Sequence, residues 1–176
     1  GITTALGPQI DLCTEPRWMR FVDTLGEEVE MTKKLVRAYC DGMQSDPDCG
    51  QGWGPGSVST MAKHWPGGGT GEGGRDGHYA FGAYAVYPTD NAPEHEKPFT
   101  EAAFRLDGPT GCASAVMPYY TVSVGQDPNQ QVGNGYSKYI ITDLLREKYG
   151  FNGVVCTDWV ITADNPRVET MNGKPW

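Results

Sequence analysis

Residues 137–159, SKYIITDLLREKYGFNGVVCTDW, decide how the rest of the chain is read. Ser137 stands where a helix N-cap belongs, Ile140, Ile141, Leu144 and Leu145 recur at helical spacing, and Gly150 supplies the stop. The apolar run Val154-Val155-Cys156 follows at once and reads as a strand that ends on Asp158 and Trp159. A helix that turns straight into an apolar strand is one unit of an α/β fold with parallel strands.

The alternation continues upstream. CASAVMPYY (112–120) reads as a strand ending on Tyr119 and Tyr120, and SVSTMAKH (57–64) as one ending on Lys63 and His64. TTALGPQIDL (3–12) reads as a strand that runs into a loop through Glu15, Pro16, Arg17 and Trp18. Thr24-Leu25-Gly26-Glu27 has capping-box spacing and predicts a helix whose apolar face carries Val29, Leu35, Val36, Tyr39 and Met43. A further helix is expected around 94–106. Residues 65–88, WPGGGTGEGGRDGHYAFGAYAVYP, are so rich in glycine that they predict a long shaped loop, and such loops inside a domain are usually functional.

Polar residues therefore fall at four strand ends: Asp11 to Arg17, Lys63-His64, Tyr119-Tyr120 and Asp158-Trp159. That pattern suits the C-terminal rim of a (β/α)8 barrel, with an open doubly wound sheet as the structural alternative. A whole barrel takes about 250 residues. With four strand units the expectation is an α/β fold that is part of such a barrel, in a single domain over residues 1–176, and the terminal segments read as the middle of a longer chain.

Composition narrows the function classes. Lys and Arg number 14 against 22 Asp and Glu, a formal net charge of −8, which argues against a nucleic-acid binder or a surface for anionic lipid. No run approaches the roughly 18 apolar residues of a spanning helix, and residues 1–12 lack the pattern of a signal peptide. The five cysteines form no CxxC pair, and His64, His78 and His95 are scattered, so no metal site is expected. Without a phosphate loop or a Rossmann fingerprint, no cofactor is expected either.

Four pieces, EPRWMR with the following DTLGEE, KHWPGGG, AVMPYY and GVVCTDW, occur in this order and together resemble the N-terminal barrel domain of glycoside hydrolase family 3. The resemblance covers nearly all of the chain. Met19 stands where the family commonly has glycine, and Asp23, Leu25 and Glu28 depart from its frequent residues; the family's second domain is not in residues 1–176. The resemblance implies a retaining exo-β-glycosidase, foremost a β-glucosidase, acting on carbohydrate without a cofactor, with Asp158 as nucleophile. It implies that Arg17, Lys63 and His64 hold sugar hydroxyls, that Arg17 keeps Asp158 ionised, and that Tyr120 and Trp159 flank the sugar.

For the acid/base the resemblance leaves alternatives. In glucosidase-like members that residue comes from a later domain, whereas the N-acetylglucosaminidase-like branch uses an Asp-x-His dyad. Asp76-Gly77-His78 lies on the corresponding loop, two residues further from the lysine than in that branch, and Glu72 is another free carboxyl there. The GGRDGH run is closer to a glucosidase-type subgroup. A β-xylosidase or β-N-acetylglucosaminidase using Asp76 and His78 is thus one alternative. A second is an inactive or sugar-binding piece that needs the remainder of its chain or a second subunit. A third is a loop-rich α/β binding protein outside the family. The substrate class alone leans towards the periplasm or exterior.

Overall fold

The computed structural model describes residues 1–161. Its strands are β1 (Thr4–Ala5), β2 (Ser59–Trp65), β3 (Tyr84–Ala85), β4 (Ala115–Pro118), β5 (Val122–Ser123) and β6 (Val154–Val155). Its longer helices are α1 (Val29–Gln44), α2 (Ala92–Lys97), which runs on into π-type turns over Pro98–Ala103, and the π-type α3 (Tyr139–Lys148).

Strands β1, β2, β4 and β6 lie side by side in that order, and every pairing is parallel. These are the four expected strands, in the expected order, with helical connections between them. The arrangement is that of part of a TIM-type (β/α)8 barrel. Alternation along each strand separates two apolar layers. Ala62 and Val116 face outward into a core with Val36 and Cys40 of α1, Phe99, and Ile140, Leu144 and Leu145 of α3. Met61, Ala115 and Met117 form a second cluster with Cys156 against it.

Strand β1 is shorter than expected because Pro8 offers no N–H to a ladder. Pairing nevertheless continues past it: Lys63 N–H donates to Pro8 O and Ile10 N–H to Lys63 O. That places Gln9 and Asp11 beside the end of β2. Two further short strands, β3 and β5, were not expected; β3, within the glycine-rich region, pairs in parallel with β5 and so holds the far end of that region against the chain after β4.

The start and buried face of α1 differ from the expectation. Glu28, not Thr24, caps it, accepting from the N–H groups of Glu30 and Met31. Its buried face is Thr32, Val36, Cys40 and Gln44, a strict i, i+4 row, while Leu35 and Tyr39 are exposed. Gln44 takes an apolar residue's place because its amide satisfies two strands: Oε1 accepts from Thr60 Oγ1 (2.6 Å) and Ser114 N (2.9 Å), and Nε2 donates to Cys112 O (2.9 Å). Helix α3 starts as read, with Ser137 Oγ accepting from Ile140 N at 3.1 Å, and ends at Gly150 with φ 68°. The helix expected around 94–106 starts at Ala92, and Pro98, which cannot donate, coincides with the widening to π-type turns.

Candidate active site

The C-terminal ends of the parallel strands converge on one pocket of about 320 Å³. Asp11, fully buried, anchors its floor. Its carboxylate accepts from His64 Nδ1 (2.8 Å), from His64 N (3.0 Å) and from the N–H of Gly68. Burial works to raise its pKa, but the charge and hydrogen bonds of His64 prevail and hold it below the usual carboxylate value. With Nδ1–H committed to Asp11, His64 turns Nε2 towards Arg20 Nη1 at 3.2 Å, and the arginine is the donor there. Arg20 Nη2 donates onward to Gln9 Oε1 at 2.6 Å. Lys63 lines the pocket half-buried, and burial, then the nearby Arg20 charge, lowers its pKa against the pull of Asp158 and Asp11.

Asp158 follows β6 and is 3% exposed. Its Oδ2 lies 3.9 Å from His64 Nε2 and 3.8 Å from His78 Nε2, and has no hydrogen-bond partner among the described residues. Four cationic or imidazole groups surround it, yet its pKa is raised: loss of water outweighs the attraction of His64, His78, Arg20 and Lys63. The sequence argument, in which a nearby arginine keeps this carboxyl ionised, has the opposite sign. Trp159 lies at the mouth, 57% exposed. Tyr120 is buried behind, donating its hydroxyl to Trp159 O at 3.2 Å and presenting its ring 5.1 Å from that of His78.

The glycine-rich loop brings Asp76 and His78 to the other wall. His78 Nδ1 lies 2.6 Å from Asp76 Oδ1, and Asp76 Oδ2 accepts from Trp18 Nε1 (2.8 Å) and Tyr119 Oη (3.1 Å). Burial opposes ionisation of Asp76, but the bonds from His78 and Trp18 take its pKa well below the usual range. Gly77 between them packs on Tyr119, whose ring would stand 2.8 Å from any Cβ at that position.

Two expected site residues lie elsewhere. Arg17 is exposed, ion-paired with Glu15 at 2.6 Å, and borders a different hollow; Arg20, three residues on in EPRWMR, takes its place beside His64. The buried Trp18 separates the two, and the turns from Glu15 to Phe21 send the arginines to opposite sides. Glu72 is exposed and lies 3.6 Å from Arg75, outside the pocket. Sequence reasoning missed Arg20 and Gln9, and named Asp11, Trp18 and Tyr119 without a role. For Arg20 the one available signal was its place inside EPRWMR, a motif already singled out. Among the described residues no cluster of three metal-ligating side chains occurs.

The pocket thus holds a desolvated carboxylate with one idle oxygen, an Asp-His pair facing it, and cationic groups around the floor. The chain matches the Glycosyl hydrolase family 3 N terminal domain over residues 1–170. It is 44% identical over 168 residues to a periplasmic beta-glucosidase/beta-xylosidase of Dickeya chrysanthemi, and 43% identical over 164 residues to a probable beta-glucosidase C of Aspergillus oryzae. In both cases 93% of this chain is covered and 24% of the relative. The chain therefore spans about a quarter of the length of these relatives. An exo-1,3/1,4-beta-glucanase from a Pseudoalteromonas species superimposes with a TM-score of 0.71 at 21% identity, over 89% of this chain and 18% of that one. The chain belongs to glycosyl hydrolase family 3, as part of that family's N-terminal domain.

Proposed function

We propose that this chain is the nucleophile-bearing part, within a single barrel domain, of a retaining exo-β-glycosidase, with a terminal β-glucosyl residue as its first substrate. The observation that carries the reading is the idle Oδ2 of Asp158, a buried carboxylate oxygen whose partner is absent among the described residues. Leaving such an atom unpaired is costly unless a ligand or reaction uses it. Oδ2 attacks the anomeric carbon, the glycosidic bond breaks, and its electron pair leaves on the departing oxygen. Water later attacks the same carbon and releases Asp158. Lys63 and Arg20 donate to hydroxyls of the held ring, with Arg20 aimed by His64 and Gln9.

His78 is the proton carrier in this proposal. Nδ1–H bonds Asp76, which balances charge on the ring, and Nε2 points at the reaction centre; it protonates the leaving oxygen and later takes a proton from water. The 3.8 Å between Nε2 and Oδ2 leaves no room for a sugar carbon and its leaving oxygen. Retaining enzymes hold their two catalytic groups about 5 to 5.5 Å apart, so substrate entry draws the loop back by about 1 to 2 Å. The same Asp-x-His pair supports a second reading, a β-N-acetylglucosaminidase, and comparing aryl β-glucoside with aryl N-acetyl-β-glucosaminide distinguishes the two.

The decisive experiment treats the full-length protein with a 2-deoxy-2-fluoro-β-glucoside carrying a good leaving group and maps the labelled peptide. The label belongs on Asp158. A label on another carboxylate overturns the proposal.

A further inference from the structure

A second hollow, of about 360 Å³, lies away from Asp158, beyond the glycine-rich loop. Its lining comes from the Glu15–Arg17 turn, the loop at Gly69–Gly73, and the chain from Val86 to His95. Three of its side chains carry buried polar atoms without a hydrogen-bond partner among the described residues: His95 Nδ1, Asn91 Oδ1 and Thr70 Oγ1. His95 is 1% exposed and Thr70 7%. The Thr70 hydroxyl lies near the Tyr87 phenol but makes no aligned bond. Only six buried side-chain polar atoms are idle among the described residues; one is Asp158 Oδ2, and three of the others belong to residues that line this single hollow.

We propose that this hollow is a second binding site, for a neutral ligand carrying several hydroxyl groups, the size of one sugar ring. The charge of its lining cancels, since Glu15 and Arg17 pair with each other at 2.6 Å. His95 is desolvated, which disfavours its cationic form. An anion therefore finds no free cation there, and its acceptor-only oxygens cannot donate to idle acceptors. A hydroxyl both donates and accepts, so a polyol satisfies the imidazole, amide and threonine in whichever orientation each takes. Val86 and Pro88 add an apolar edge against which the C–H face of a ring can rest. The volume lies at the lower end of the range for small-ligand pockets, about 300 to 1,000 Å³, and far above the roughly 30 Å³ of one water. The loop that walls this hollow at Gly69–Gly73 continues directly to Asp76 and His78, so an occupant rests on the segment that carries the proposed proton carrier.

The test is calorimetric titration of the full-length protein with D-glucose and, separately, with inorganic phosphate. Glucose is expected to bind at two classes of site. Lys63→Ala removes one; Asn91→Leu weakens the other about tenfold or more and leaves hydrolysis of an aryl glucoside at low sugar unchanged. Val86→Trp, which fills the hollow without touching a polar group, is expected to abolish the same class, so a folding defect in one variant does not decide the matter. Phosphate is expected not to bind at the site that Asn91→Leu weakens. A single class of glucose site that vanishes with Lys63→Ala overturns the proposal. So does a crystal structure of the full-length protein in which ordered waters alone, or another segment of the chain, occupy His95 Nδ1 and Asn91 Oδ1. The outcome is independent of the label at Asp158, because the second class is defined by residues outside that pocket.

Discussion

At the scale of single residues, the site works against its own stability. Asp158 has a raised pKa in the fold because burial disfavours its charge. The folded state then holds the proton more tightly than the unfolded chain, so stability falls as pH rises from the ordinary carboxylate value through the raised one. Asp158→Asn removes that cost. It is expected to stabilise the full-length protein by about 1 kcal/mol at neutral pH, with no advantage below the ordinary carboxylate range, while turnover falls by about 10³-fold or more. Denaturant titrations at two pH values check the first part, and a gain that persists at acid pH contradicts it. The acid limb of kcat/KM is expected to lie above the ordinary carboxylate pKa for the same reason. A second contrast separates the two arginines of EPRWMR. Arg20→Ala should lower kcat/KM about 100-fold, since it leaves Gln9 and His64 without their donor, and Arg17→Ala should change it by less than about twofold. Equal losses would mean that the pocket is assembled otherwise. The sequence alone could not choose between these arginines, because each stands in the same motif and the choice depends on which way a tight turn sends them around Trp18.

At the scale of elements, what was legible is what the hydrophobic pattern controls. All four parallel strands were readable because each is a short apolar run closed by polar residues, and α3 because its cap, spacing and stop agree. The buried row of α1 was not, since two of its four members, Thr32 and Gln44, are polar and a search for apolar periodicity passes over them. Gln44 joins α1 to β2 and to the chain entering β4 through one amide. Gln44→Ala strands the Ser114 N–H and the Cys112 carbonyl in the interior, and a loss of about 2 to 4 kcal/mol is expected in thermal or urea unfolding. Gln44→Glu keeps the acceptor for Ser114 and Thr60 but loses the donor to Cys112, so it should fall between the two. A loss below about 0.5 kcal/mol for the alanine variant would show that water replaces the amide and that the row is not a packing constraint. The β3–β5 pair was equally hidden, because strands of two residues leave no period to detect.

At the scale of the whole molecule, the pocket joins segments from residue 6 to residue 159, and its two halves are held by separate means. Asp11, His64, Arg20 and Gln9 form one hydrogen-bonded line across the ends of the strands, and Trp18 and Tyr119 pin Asp76 on the other side. The proton carrier therefore comes, in the proposed mechanism, from a loop fastened by the same rim that supplies the nucleophile. The leaving group tells whether this holds. If His78 protonates the departing oxygen, His78→Ala costs little in kcat/KM, which reports the bond-breaking step, when that oxygen leaves readily as a dinitrophenolate, and costs about 10² to 10⁴-fold when it is an alkoxide of a second sugar. Asp76→Asn should follow the same pattern more weakly, since it disturbs the ring's charge balance and not the ring itself. Dinitrophenyl β-glucoside and cellobiose, compared on the wild-type and both variants of the full-length protein, provide the measurement. Equal losses on the two substrates would assign His78 a role in shaping the pocket and return the acid to a segment outside the described residues. A selective loss on cellobiose in His78→Ala would place acid and nucleophile on one glycine-rich loop and one strand end of the same half-barrel.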